Sequence, residues 1–393
     1  MSDYKINRNK KIYFSEIIIV LFVFLGVYKV GHISVAYIIT LLYTLYLLYK
    51  NKYIIIHKWL LYFVFYVVIN QLILIILGRD FISVEFILKN LIMTLVSVFV
   101  VFVLSNSTTE DRLYKVYSFF GVITIIGLFY HAIQVYILGN LVYPIVPFSV
   151  LVDKSLHVFH AGINRPISMF LEPQHYSSFI IPLLYFTLKK HKLLFSILIT
   201  ISILLSTSIQ GIIMATSIWL FFFVIKYKDV KIKVIAIVLF VIVATFFITS
   251  EISEFTVNKA TNIHIGSDVR ISRGFGIFLE MKPWDKLVGI GSASNNSYLT
   301  QNVKNSSWNN SEDFMTSYSG VLVQYGIICS IIFNILLLKI YKISKRENFG
   351  FFILIIIATF GQTILFNSWF ILYFSIILNI SNKNNKEYFI LRL

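Results

Sequence analysis

The chain has 393 residues, 58% of them hydrophobic and only 13% charged, with a mean hydropathy of +0.81. The charged share is about half that of a soluble domain, which excludes a soluble enzyme and leaves no soluble domain of useful size. A net charge of +16 raises nucleic acid as a partner, but the placement of the charge excludes it.

Apolar runs of about 20 residues, each able to cross a bilayer core about 30 Å thick, recur along the chain. They predict an all-α polytopic membrane protein, one integral domain over 1–393, with about twelve transmembrane helices. The spans are expected near 13–30, 32–49, 59–77, 86–104, 116–138, 172–188, 193–208, 211–225, 234–250, 314–338, 350–366 and 368–381. Lys5, Arg8, Lys10 and Lys11 precede the first run and no small-residue cleavage site follows, so it reads as a retained helix. Short Lys/Arg-rich turns alternate with other turns, and the basic side holds 23 of the 34 basic residues. By the positive-inside rule that side is cytoplasmic, with both termini. It accounts for the whole excess charge, so the expected partner is the lipid bilayer, not nucleic acid. The single Cys329 rules out an internal disulfide.

Two longer loops, 139–171 and 251–313, then face outward. The cytoplasmic loops are all short, and GIGSAS at 289–294 lacks the Lys and the strand-to-helix setting of a phosphate loop. Chemistry on this chain is therefore expected on the outer face, where nucleotides are absent and a substrate must arrive already activated.

The stretch 164–184, NRPISMFLEPQHYSSFIIPLL, closes the first outer loop. Proline is favoured at the first helical position, so Glu172 reads as the N-cap and Pro173 as N1. Glu172 and His175 then share a face, with Arg165 seven residues earlier. A helix N-terminus beside an arginine suits an anion; an interfacial cap with a snorkelling arginine uses the same residues. His157 and His160 form an HxxH pair to which Asp153 could add a third metal ligand. Two ionisable groups inside spans, Glu16 and His131, are costly if they face lipid. Between spans seven and eight, LSTSIQG at 205–211 reads as a short polar turn.

In the second outer loop, Ser267-Asp268 marks a helix start and Lys282-Pro283 a stop. Arg270 and Arg273 fall three apart on one face, and paired guanidinium forks suit a diphosphate; two solvated arginines on a surface helix fit the spacing equally. Ile271, Phe275 and Phe278 could form a membrane-facing stripe. Gly289 and Gly291 suggest a tight turn with close backbone approach, and Gly320 and Gly326 suggest close helix packing in the tenth span.

Three blocks, in this order, resemble Wzy-type polysaccharide polymerases, which polymerise O-antigen and capsule repeat units. Residues 165–173 are similar to the family's R-x-x-G-x-x-x-E-P, with Ser168 where glycine is common. Residues 205–211 are similar to L-S-x-S-x-x-G. Arg270 to Gly291, followed by 317–326, is similar to its arginine helix, G-x-G turn and glycine-containing span. The resemblance covers about 120–340.

The resemblance implies a GT-C-like membrane glycosyltransferase of the bacterial cytoplasmic membrane with no metal and no cofactor. It would act on undecaprenyl-diphosphate-linked oligosaccharides delivered by a flippase, with a chain-length regulator as a further partner. Arg165, Arg270, Arg273, Gly289 and Gly291 would bind substrate; Glu172, then His175, would act as base. An O-antigen-ligase-like transferase and a lipid-linked oligosaccharide flippase or other transporter remain as alternatives.

Overall fold

The computed structural model describes residues 14–26, 28–30, 33–78, 84–147, 162–226, 269–292, 315–380 and 387–392, with isolated positions at 230, 234, 237, 238, 241, 245 and 298. In chain order the helices are α1 Phe14–Leu25, α2 Val35–Asn51, α3 Lys58–Ile76, α4 Val84–Ser107 and α5 Glu110–Ala132, which runs on as a wider turn to Ile137. Then come α6 Pro173–Lys189, α7 Leu193–Leu205, α8 Ile209–Phe221, α9 Val269–Glu280, α10 Pro283–Val288, α11 Ser317–Gly361 and α12 Ser368–Ile380. Two antiparallel ribbons complete the described chain: β1 Lys29–Val30 with β2 Ile33–Ser34, and β3 Tyr53–His57 with β4 Tyr388–Arg392.

Helix α6 is the central post. Every residue from Tyr176 to Leu188 is buried, and the Ser177, Ser178 and Thr187 hydroxyls inside that stretch are hydrogen-bonded. It packs against α5, α7, α8 and α11. Pro182 lies inside it and offers no N–H to the carbonyl four residues back. That carbonyl, on Ser178, accepts instead from Tyr373 Oη at 2.8 Å. The neighbouring Phe179 carbonyl accepts from Tyr117 Oη. Hydroxyls from α12 and α5 thus repair the ladder that proline interrupts.

The count of twelve spans is corrected. Four helices are long and apolar enough to cross a membrane: Lys58–Ile76, Val84–Ser107, Glu110–Ile137 and Ser317–Ser344. Five shorter apolar helices, such as Phe14–Leu25 and Ser368–Ile380, have 10–17 residues. At 1.5 Å per residue those reach about 15–26 Å, short of a core about 30 Å thick. A helix buried in protein is as apolar as one in lipid, so hydropathy counted both. The span expected at 234–250 falls largely outside the described residues. Four candidate spans still make this a multi-pass membrane protein.

Helix α11 runs over 45 residues, which laid straight would reach ~67 Å. Its ends nevertheless meet: Ser317 N donates to Gln362 O at 3.0 Å. The helix therefore doubles back, and the spans expected at 314–338 and 350–366 are its two arms. At the end of the bundle opposite Glu172, Lys189 pairs with Glu110 at 2.8 Å and Lys339 with Glu387 at 2.9 Å. Glu16 is buried, and its carboxylate accepts from Thr109 N at 3.3 Å, at the start of α5. Burial beside a helix N-terminus replaces the lipid exposure that would have been costly.

Candidate functional site

The 165–173 block is held in place from below by α5. Ser168 has φ +56°, the left-handed region that glycine adopts freely. Its N–H donates to His131 Nδ1 at 3.0 Å, and its hydroxyl donates to Thr124 O at 2.7 Å. The lone histidine of span five thus faces protein and fixes this turn. Gly127 leaves the room: a Cβ there would meet Ser168 Oγ at 2.7 Å. Where the polymerase pattern has glycine, this chain has a serine whose strain is offset by two hydrogen bonds. An isolated bridge between Val142 and Ile163 pins the two described arms of the first loop.

Glu172 caps α6 with extended backbone, φ −142° and ψ 152°, and Pro173 stands at N1, as the sequence predicts. The Glu172 carbonyl accepts from His175 N and Tyr176 N at 3.1 and 3.2 Å. Its carboxylate makes no capping hydrogen bond. Arg165, Glu172 and His175 are all half-buried at this end of the bundle. The His175 ring lies 5.6 Å from the Trp369 ring, tilted by 30°. Arg165 is near enough to Tyr136 for its charge to act on the phenol, and Tyr136 Oη donates to Leu205 O at 2.8 Å.

That contact leads to the 205–211 block, which is more than a plain connection. Ser208 caps α8, its Oγ accepting from Gly211 N at 3.2 Å. Gln210 Oε1 accepts from Gln174 Nε2, which also donates to Gly361 O at 3.2 Å and Gln362 Oε1 at 3.3 Å. Ser178 Oγ donates to the same Gln362 oxygen at 3.1 Å. Gly211 allows the close approach of α8 to α6, since a Cβ there would meet Ser177 Oγ at 2.4 Å.

The third block joins through Gln362. Its carbonyl accepts from Ser317 N at 3.0 Å and Ser317 Oγ at 3.1 Å, at the start of α11. Beside that start lies α9, whose backbone carries Arg270; the Arg270 side chain lies outside the described residues. Arg273 is 1% exposed, and Gly274 brings α9 onto α11, where a Cβ would meet Ser319 Oγ at 2.2 Å. The buried face of α9 is Arg273, Gly274, Ile277 and Met281. Phe275 and Phe278, expected toward lipid, are half-buried. Phe275 packs on Tyr318 and Phe278 on the Ile277–Met281 cluster.

The glycine turn approaches the chain's own backbone. Ile290 N donates to Val323 O and Gly291 N to Gln324 O, both at 3.0 Å, while Gly289 N donates to Asp285 O at 2.7 Å. Gly326, inside α11, has φ +80°, which breaks the helix where those carbonyls turn aside. Helix α3 supplies further support. Asn70 Nδ2 donates to Val288 O at 2.6 Å, and Gln71 Oε1 accepts from Ser292 N at 2.8 Å. Among the described residues, a Cβ on Gly320 would have no neighbour within 4 Å, so the close helix packing expected there is not found.

Arg165, Glu172 and His175 thus gather at the start of α6, while Arg273, Gly289 and Gly291 gather on α11. Gln174 and Gln362 link the two groups. The amides Asn70, Gln71, Gln174 and Gln362 escaped the sequence reading, although amides inside apolar runs are costly unless paired. His157, His160 and Asp153 lie outside the described residues.

Two cavities flank this region. An apolar groove of about 320 Å³ is lined by Phe24, Tyr28, Phe120, Ile123, Pro147 and Met169. A polar cleft of about 220 Å³ lies between α4, the glycine turn and the start of α11. No protein-family model matches the chain, and no curated protein matches it.

Proposed function

We propose that this chain is a Wzy-type polymerase that joins undecaprenyl-diphosphate-linked repeat units into O-antigen or capsular polysaccharide. The observation that carries the reading is the contact of Gln174, beside the first block, with Gln210 of the second and with Gln362, whose carbonyl holds Ser317 of the third. It draws three blocks, far apart in sequence, to one end of the bundle. The opposite end holds Lys189, Lys190 and Lys339, all in ion pairs. If that basic end is cytoplasmic, the site faces outward, in a bacterial cytoplasmic membrane with both termini inside.

The chemistry follows from the groups available. An acceptor sugar hydroxyl attacks the anomeric carbon of the donor chain. The new glycosidic C–O bond forms as the bond to the phosphate oxygen breaks, and that electron pair leaves with the lipid diphosphate. Glu172 takes the hydroxyl proton, with His175 as the next candidate. Arg165, with Arg270 and Arg273, meets the charge that grows on the leaving diphosphate. Gly289 and Gly291 serve by fixing the loop that carries the arginine helix onto α11. The apolar groove beside Met169 suits the isoprenoid tail. A flippase would supply the units, and a chain-length regulator would set the product size.

The test uses purified protein in liposomes with a synthetic undecaprenyl-diphosphate-linked repeat unit. A ladder of longer lipid-linked glycans is expected. Absence of any ladder from folded protein, across the natural repeat units of the source strain, overturns the reading.

A further inference from the structure

We propose that the polar cleft between α4, the 289–292 turn and the start of α11 binds one neutral sugar ring. Its size fits: an apolar cavity of about 150 Å³ takes a benzene ring, and this cleft measures about 220 Å³. No Asp, Glu, Lys, Arg or His lines it among the described residues. A phosphate would want cations there and a metal would want carboxylates, so neither suits. Its mixture of amides, hydroxyls and the rings of Tyr325 and Phe366 suits an uncharged polyhydroxyl with one apolar face.

The wall is built and held. Ser292 Oγ donates to Gln71 Oε1 at 3.0 Å, Ser317 Oγ to Gln362 O at 3.1 Å, and Thr363 Oγ1 to Met315 O. Three lining side chains are left over. Asn90, Thr94 and Gln324 make no side-chain hydrogen bond among the described residues. Two amides and a hydroxyl bordering one cavity form a set of donors and acceptors with no partner among the described residues, free to meet a polyhydroxyl ligand. Gly320 keeps the space open, because no side chain projects from it. Gln362 connects this cleft to Glu172: its carbonyl holds Ser317 in the wall, and its side chain meets Gln174. Resting on the polymerase reading, the occupant is a ring of the incoming acceptor unit, presented toward Glu172.

The experiment is saturation-transfer NMR on the full chain in nanodiscs, with methyl glycosides of glucose, galactose and N-acetylglucosamine as probes. Transfer to the ring protons of at least one glycoside is expected. Asn90→Leu and Gln324→Leu should each weaken it roughly fivefold, the size of one neutral hydrogen bond. Gly320→Leu fills the cleft without removing either amide and should abolish binding while thermal stability is kept. No transfer to any glycoside, or equal transfer from the parent and from folded Gly320→Leu protein, overturns the proposal. Failure here leaves the diphosphate chemistry standing. A protein that binds glycosides but makes no polymer sinks the polymerase reading alone.

Discussion

Ser168 and His131, 37 residues apart, share a hydrogen bond of 3.0 Å from the serine N–H to the imidazole Nδ1. The bond is buried, and it holds a left-handed turn in the loop that delivers Arg165 and Glu172. His131→Leu should therefore leave a buried N–H without an acceptor, at a cost of roughly 1–3 kcal/mol. Ser168→Gly relieves the strained φ but loses the bond to Thr124, so its stability should stay within about 1 kcal/mol of the parent. Ser168→Val brings a β-branched side chain into the left-handed region and should be clearly less stable than Ser168→Gly. Thermal unfolding in detergent orders the three, and a stable Ser168→Val would refute the account of this turn.

The glycine turn makes an equally direct prediction. A Cβ on Gly289 would lie 2.4 Å from Gln324 O, and one on Gly326 2.2 Å from Leu287 O. Both residues also have positive φ, at +82° and +80°. Alanine at either must push the turn off α11 and break two backbone hydrogen bonds, so a loss of about 3 kcal/mol or more is expected. Gly320→Ala in the same helix meets open space and should be neutral or stabilising by up to about 1 kcal/mol. Melting temperatures of the three variants separate this account from a general intolerance of α11 to substitution.

The arginines should part company when stability and activity are measured together. Arg165 is half-buried, and Arg165→Ala should cost less stability than Arg273→Ala. Its turnover of lipid-linked units should fall by about 10²–10³, the effect of removing one donor to a developing anion. Arg273 is almost fully buried where α9 packs on α11, and truncating so large a buried side chain costs about 3–5 kcal/mol. Arg273→Ala should therefore melt early, and its activity must be compared per folded molecule. Arg270→Lys keeps the charge but loses the planar fork, so full activity should not return. Normal polymerisation by folded Arg165→Ala protein would remove that residue from the diphosphate site.

These relationships mark where the sequence was readable. Glu172 before Pro173, the helix over 269–280 and the tight turn at Gly289 follow from local rules of capping and backbone freedom, and all three stand in the structure. The number of spans did not, because helices such as Phe14–Leu25 and Ser368–Ile380 are apolar enough for a membrane but too short to cross it. Asn70 and Gln71 looked like polar interruptions of a generic span; their partner, the 288–292 turn, lies over 200 residues away. Gly320 and Gly326 looked equivalent, yet one packs on a backbone and the other borders a cavity. The pairing of β3 with β4 depends on the end of the chain returning to a turn near its start. No local pattern announces such contacts.

That ribbon carries a pH-sensitive group. His57 precedes α3, and its Nδ1 accepts from Leu60 N at 3.2 Å. Its side chain is fully enclosed against Tyr388. Burial lowers its pKa to about 4; the Glu387 carboxylate opposes that shift and Lys339 assists it. The folded value lies below the unfolded value of about 6.5, so the unfolded chain takes up the proton first. Stability from the neutral ring is fully present above about pH 6.5 and falls as pH drops toward about 4, by roughly 3 kcal/mol in all. Protection factors of the 388–392 amides, corrected for the intrinsic pH dependence of exchange, should therefore fall between pH 6.5 and 5. His57→Asn keeps a capping side chain without the proton and should flatten that response. An unchanged response in this variant would assign the effect elsewhere.

Glu172 offers the sharpest test of the proposed chemistry. Its backbone starts α6, with its carbonyl accepting from His175 N at 3.1 Å, and its carboxylate takes no part in the cap. Glu172→Gln keeps the extended backbone that starts α6, so the helix should stay intact, and its thermal stability is read beside its turnover. It cannot accept a proton from an attacking hydroxyl. A positioned base contributes about 10²–10⁴-fold, and the loss in turnover should fall in that range while substrate binding is retained. His175→Gln also removes a titratable group but acts beside Trp369 rather than at the cap, and a smaller loss is expected. Initial rates with saturating synthetic lipid-linked units, normalised to folded protein, decide between them. If Glu172→Gln polymerises at close to the parent rate while His175→Gln does not, the base is His175, and the carboxylate only shapes the field in which the arginines meet the diphosphate.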